Sequence, residues 1–94
     1  MPFHVYILRC ADNSLYIGYA EDLIARVVLH NAGRGATHTA NHRPVQVVYQ
    51  ESHETEIVAM KRERRLKRWT RAKKLALING DRTRLKSLAK RRVY

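Results

Sequence analysis

The chain has 94 residues, 45% of them apolar, and 19 lysines and arginines stand against 8 acidic residues, a formal net charge of +11. That length fits one small domain with a modest core, and the apolar share excludes wholesale disorder. The single cysteine, Cys10, excludes an intramolecular disulfide framework and a multi-cysteine zinc site, and no apolar stretch approaches the roughly 18 residues of a membrane span.

The opening residues, MPFHVYILRC, carry no basic region ahead of their short apolar run, and no cleavage site follows them. The expectation is a chain without a secretion signal, in a reducing cytoplasm and off the membrane. His4 to Cys10 reads as a β-strand, with Val5, Tyr6, Ile7 and Leu8 in succession. Asp12-Asn13-Ser14 signals a turn and Leu15 to Ala20 a second strand, so the two form a hairpin. Its loop length sets which side chains share a face, because they alternate along a strand. A two- or four-residue loop puts Tyr6 and Tyr16 on opposite faces. A three-residue loop, Ala11 to Asn13, sets Tyr6 opposite Gly18 and Leu8 opposite Tyr16, with both tyrosines on one face. Asparagine tolerates the left-handed conformation that closes such a loop, so the three-residue form is predicted.

Glu21 to Ala32 is predicted helical, with an apolar stripe of Leu23, Ile24, Val27 and Val28, acidic residues Glu21 and Asp22 in its first turn, and Gly33 as its stop. Asp22, Arg26 and His30 fall four residues apart in a polar row beside that stripe. Gly33 to Pro44 has the composition of a loop and holds Arg34, His38, His42 and Arg43, several candidate phosphate ligands. The spacing of His38 and His42 would suit two metal ligands on a helix, but a Gly/Thr-rich loop argues against that. Val45 to Glu51 is a third strand, with Pro44 tolerated at its start.

Ser52 is the predicted cap of a helix from about His53 to Arg68. Glu63 lies within it, with apolar Ala59, Met60 and Leu66 at i−4, i−3 and i+3 and Lys67 at i+4, so it points partly toward the core. Thr70 caps a further helix, RAKKLALIN, stopped by Gly80, and Asp81 caps a last one carrying Leu85, Leu88 and Ala89. The tail Lys90 to Tyr94 is expected to fray.

Charge is unevenly placed. Residues 1–60 hold four basic and six acidic residues, a net −2, whereas residues 61–94 hold fifteen basic residues and only Glu63 and Asp81, a net +13. Such a block is the footprint of a polyanionic partner. An anionic membrane surface fits poorly, because Trp69 is the one large aromatic inside the run, ahead of the terminal Tyr94, and no face is apolar enough to insert.

Taken singly, the candidate residues are ordinary. Tyr6 and Tyr16 are strand tyrosines, Arg26 a surface arginine, His30 a partly buried histidine, and Glu63 an ion-pair partner for Lys67 or Arg64. No Gly-rich phosphate loop, nucleophile elbow or Cys/His dyad is visible. The combination is more specific. Val5-Tyr6-Ile7, then Leu15-Tyr16-Ile17-Gly18, then Leu23-x-x-Arg26-x-x-x-His30-Asn31-x-Gly33, then Thr39 and Pro44, then Glu63-x-x-Leu66-Lys67 follow one another in order. This pattern resembles the GIY-YIG nuclease superfamily, and within it the small single-domain bacterial members. The likeness runs from about residue 4 to residue 79.

The resemblance implies an α/β (α+β) fold, a three-stranded antiparallel sheet flanked by helices. The nuclease domain would span residues 1–80, with 81–94 a short basic helix and tail of the same domain. It implies a metal-dependent endonuclease acting on DNA, on branched or damaged forms in repair or recombination. Tyr6 takes the place of the first-motif tyrosine, Tyr16 and Gly18 those of the second motif, Arg26 that of the helix arginine, and Glu63 that of the metal-binding glutamate. His30 stands where relatives have histidine or tyrosine, and Asn79 is the candidate for an asparagine beyond the glutamate. The first motif reads Val-Tyr-Ile, and Ala20 replaces a threonine, leaving the helix without a hydroxyl cap.

Phosphodiester hydrolysis needs a base for the attacking water and positive charge on the phosphate. On this reading Glu63, the one well-placed carboxylate, holds a single Mg²⁺ or Mn²⁺, and Arg26 contacts the scissile phosphate. Tyr16 bonds the phosphate or the water. Tyr6 orients or deprotonates the water, with Arg26 and the ion drawing the phenol down from its ordinary value of about 10. His30 is the alternative base. Arg34, His38, Arg43, Arg64, Lys67, Arg68, Arg71, Lys73 and Lys74 would grip backbone phosphates, which positions substrate without reading sequence. The rival reading is a non-catalytic binder of DNA or structured RNA that keeps the fold. The chain carries no evident targeting module, so a protein partner would supply one.

Overall fold

The structure, a computed structural model, describes residues 2–91. The elements are β1 (Phe3–Arg9), β2 (Leu15–Ala20), α1 (Leu23–Asn31), α2 (Thr37–Ala40), β3 (Gln46–His53), α3 (Glu56–Lys67), α4 (Arg71–Ile78) and α5 (Arg82–Arg91). The strands form one antiparallel sheet in the order β2-β1-β3. The hairpin has the three-residue loop. Tyr6 faces Gly18 and Leu8 faces Tyr16, Cys10 N–H donates to the Ser14 carbonyl at 2.9 Å, and Asn13 has φ +70°. That register puts Tyr6, Tyr16 and Gly18 on one face of the sheet.

Helices cover both faces. On one, Val5, Ile7 and Ile17 pack with Ala59 and Leu66 of α3, backed by Trp69, Leu77 and Ile78 around α4. On the other, Tyr6, Leu8, Cys10 and Ala20 pack with Val45 and with Leu23 and Val27 of α1. The apolar stripe expected on α1 is thus only half inward. Leu23, Val27 and His30 lie along one line of the helix and face the sheet, while Ile24 and Val28, on the next line, are 81% and 62% exposed. In place of a hydroxyl cap, the Asp22 carboxylate accepts from Ala25 N–H at 3.0 Å. Gly33, at φ +79°, closes a Schellman turn: its N–H reaches the His30 carbonyl and the Arg34 N–H reaches Leu29.

Three boundaries differ from the sequence reading. The predicted loop from Gly33 to Pro44 contains the helical turn α2. The third strand runs on to His53, because its far end pairs with Phe3 and His4 of β1. Thr55 therefore caps α3 in place of Ser52, accepting from Val58 N–H. Thr70 and Asp81 cap α4 and α5 as expected. Lys90 and Arg91 continue α5; the side chain of Ala89 and the expected fraying of Arg92 to Tyr94 lie outside the described residues.

One polar cluster fixes α3 on the sheet. Glu51 of β3 accepts from Tyr49 Oη at 2.6 Å and from Arg62 Nε at 3.0 and 3.2 Å, and His53 Nε2 lies beside its other oxygen. These bonds outweigh the burial that opposes charge, and hold the Glu51 carboxyl below its ordinary range. Arg62 also lies over the Trp69 ring, 5.3 Å from its centroid. Glu63 is the next residue along α3.

Candidate active site

A cleft of about 380 Å³ opens beside β2, the edge strand, where Gly18 leaves room. Tyr6 comes to it from β1, Tyr16 from β2, Arg26 from α1 and Glu63 from α3. The first three belong to one side of the sheet and Glu63 to the other, so the groups meet around the sheet's edge. Gly18 cannot carry a side chain: a Cβ there would lie 2.5 Å from Tyr6 Oη and 2.7 Å from its Cζ. The second-motif glycine is required by the close passage of the Tyr6 ring.

Behind the cleft runs a buried chain of hydrogen bonds. Tyr6 Oη is 3.1 Å from His30 Nε2, His30 Nδ1 is 2.7 Å from Thr39 Oγ1, and Thr39 Oγ1 is 3.0 Å from the Ala36 carbonyl. Directions follow from the far end. A carbonyl accepts only, so the Thr39 hydroxyl donates to Ala36 and its oxygen accepts from His30 Nδ1–H. His30 therefore presents the lone pair of Nε2 to Tyr6, whose hydroxyl donates to it. Gly35 makes this packing possible, since a Cβ there would fall 2.6 Å from His30 Cε1. Tyr16 stands edge-on to the same imidazole, ring centroids 5.2 Å apart.

The protein's own groups do not draw Tyr6 down toward phenolate. Burial, with Tyr16 and Glu63 nearby, pushes it up to about 12, and the opposing charge of Arg26 is too weak to prevent this. Burial also raises Tyr16, aided by Glu63. His30 moves below its ordinary 6.5, first through burial and then through Arg26, so near neutrality it is an uncharged acceptor. Tyr6 and His30, the two candidate bases, are hydrogen-bonded to each other.

Thr39 has a positioning role that its place in the motif did not disclose. Thr39→Val keeps the shape and removes the hydroxyl, leaving the buried His30 Nδ1–H unpaired, whereas the Ala36 carbonyl keeps its bond from Ala40 N–H. We expect a loss of about 1–3 kcal/mol, read by urea unfolding. A variant as stable as the wild type would show that water replaces the hydroxyl.

Glu63 lies 3.7 Å from Lys67, with its side chain 14% exposed against 51% for the lysine. A lysine that exposed is a weak tether. The cleft also holds Glu21 and Glu56, the latter accepting from Tyr19 Oη at 3.4 Å. Sequence reasoning counted one carboxylate here and missed these two; the signal for Glu56 is its position seven residues before Glu63, on the same helical face. Among the described residues, the three glutamates do not bring oxygens within 4.8 Å of one another. Carboxylates that do not gather into one cluster, among phenols and a guanidinium in an open polar cleft, suit a hard divalent cation that retains most of its waters.

The other candidates are dispersed. Arg34 lines a smaller hollow next to the cleft, with Tyr16, Arg26 and His30. Arg64 and Arg68 line a groove on α3 with Lys61, Arg65 and Trp69. Arg71 donates to the Asn13 carbonyl at 2.9 Å, and Lys73 Nζ sits 4.2 Å from the Trp69 centroid. Burial lowers Lys74 from its usual value. Two candidates are committed elsewhere: Arg43 donates to the Ala40 and Asn31 carbonyls, and His38 Nε2 is 2.7 Å from Ser14 Oγ. Asn79 is the exposed C-cap of α4, not a lining residue of the cleft.

Residues 2–76 match the GIY-YIG catalytic domain. The chain belongs to the GIY-YIG family. Relatives include the UPF0213 proteins of Staphylococcus aureus strains N315 and Mu50, each 57% identical over 74 residues, 79% of this chain and 90% of theirs. The solution NMR structure of a UPF0213 protein from Bacillus halodurans is 34% identical, with a TM-score of 0.56 and 86% of each chain covered. Both the GIY-YIG fold and a nuclease-type function follow. Among the described residues, no helix is long and apolar enough to cross a membrane.

Proposed function

We propose that this GIY-YIG protein is a divalent-metal-dependent endonuclease that hydrolyses phosphodiester bonds in DNA, branched or damaged forms included. The observation that supports it most is the convergence of Tyr6, Tyr16, Arg26 and Glu63, from four elements, on one cleft backed by His30. Arg26 is a permanently charged planar donor for the scissile phosphate. Tyr16 orients that phosphate or the attacking water. Tyr6 accepts a proton from the water as its own passes to His30 Nε2, so the imidazole is the base and the phenol the relay. Glu63 would hold Mg²⁺ or Mn²⁺, which when bound supplies positive charge beside the leaving oxygen. The basic helices grip backbone phosphates, and the reading places the protein in the cytoplasm, at the nucleoid.

The test is cleavage of plasmid and of a four-way junction with Mg²⁺ and with EDTA. Metal-dependent product supports the proposal; tight binding without product would favour the rival, a non-catalytic binder. Duplex affinity should fall steeply with salt, with a log–log slope of roughly −0.9 per phosphate contact. The double variant Arg64→Ala/Arg68→Ala should flatten that slope by about 2 while leaving the little sequence preference unchanged. An unchanged slope would remove those arginines from the interface.

A further inference from the structure

A second cluster of ligand-type side chains lies outside the cleft, where the hairpin turn meets α2. Cys10, Asp12 and His38 each bring one potential ligand atom within 4.8 Å of the others, the thiol buried and the other two exposed. His42 lies outside that group of three but stands beside His38, ring centroids 4.6 Å apart, with its Nε2 3.3 Å from Asp12 Oδ2. The loop composition argued against paired histidine ligands here, but the helical turn of α2 sets the two rings side by side.

The protons of His42 point to a cation. Its Nδ1 is 2.7 Å from the His38 carbonyl, so Nδ1 carries the hydrogen. Neutral His42 then aims the lone pair of Nε2 at a carboxylate oxygen, which also only accepts. Two acceptors facing each other at 3.3 Å need positive charge, either a proton or a metal ion. That separation is also the ligand-to-ligand edge of a tetrahedral site with bonds of about 2.0–2.1 Å.

We infer that Cys10, Asp12 and His38, joined by His42 moving in from beside Asp12, form a zinc site that ties the hairpin turn to α2. One thiolate, one carboxylate and two imidazoles make a borderline-soft donor set that suits Zn²⁺ and not an oxygen-seeking ion such as Mg²⁺. The frame is already set. Ala11 N–H donates to the His42 carbonyl at 2.8 Å, and Ser14 Oγ lies 2.5 Å from Asp12 Oδ1 and 2.7 Å from His38 Nε2. The Cys10 proton leaves to solvent as the sulfur–zinc bond forms. Since α2 carries Thr39, the site would steady the hydroxyl that orients His30.

The test is titration of the full chain with Co²⁺, then displacement by Zn²⁺. One equivalent should give the intense d–d bands of a tetrahedral site and a thiolate-to-cobalt charge-transfer band. Cys10→Ser should lose the charge-transfer band, and the surface variants Asp12→Asn and His38→Asn should weaken binding tenfold or more. A hundredfold excess of Zn²⁺ over its Kd should raise Tm by about 10 °C. Glu63→Gln should leave the cobalt spectrum unchanged, which separates this site from the cleft. Absence of the charge-transfer band in the wild type would overturn the inference and leave His42 as an imidazolium paired with Asp12. So would a spectrum indifferent to Asp12→Asn and His38→Asn.

Discussion

Glu63→Gln should leave the fold intact and lower Mg²⁺-dependent cleavage by about three orders of magnitude, since a Lewis-acid ion contributes several kcal/mol to charge stabilisation. The substitution keeps size and polarity and removes the negative charge. The weak pair with half-exposed Lys67 is lost at little cost in stability. Duplex binding in EDTA should hold or strengthen, because an anion next to the phosphate path disappears. Three readings are needed together: thermal unfolding, DNA affinity without metal, and the rate against Mg²⁺ concentration. A variant that cuts at the wild-type rate in saturating Mg²⁺ would refute the assignment of Glu63 as metal ligand.

Tyr6→Phe should reduce the rate by about 10²–10⁴ with DNA affinity unchanged, the range for loss of a positioned proton carrier. The ring still fills the space against Gly18, but His30 Nε2 loses its donor. The pH profile distinguishes relay from phenolate. A free phenolate base would make the rate climb toward pH 12, where Tyr6 ionises. The relay gives a plateau through neutrality and an acid limb below 6.5, where the depressed His30 gains its proton. Stability follows the same group. Its folded pKa lies below the unfolded one, so between the two the unfolded chain binds more protons and stability rises with pH. An acid limb at or above 6.5, or a rate that climbs steadily above pH 9, would refute the relay.

The hairpin was readable from sequence because the register depends on one local choice, the conformation of Asn13. The caps at Thr70 and Asp81 were readable for the same reason. The convergence of Tyr6, Tyr16, Arg26 and Glu63 came from the resemblance in motif order, since periodicity cannot bring an α3 side chain around the edge of β2. What escaped the sequence depends on tertiary placement. The direction of the Tyr6 shift needed its burial, which outweighs Arg26. The inward line of α1 needed the docking angle of a nine-residue helix whose two apolar lines look equivalent on paper. The role of Thr39 needed the direction of a proton in a buried bond.

Arg62 and Glu63 are neighbours, so their side chains leave α3 about 100° apart around its axis. Arg62 is fastened through Glu51 to the middle layer of the molecule. That clamp is a rotational stop. It fixes the azimuth of the helix, and with it the heading of the carboxylate that points into the cleft. A substitution that loosened the stop would touch neither substrate nor ion, yet it would let the ligand swing. On the proposed reading, affinity for magnesium would be set partly by a cluster of residues outside the cleft.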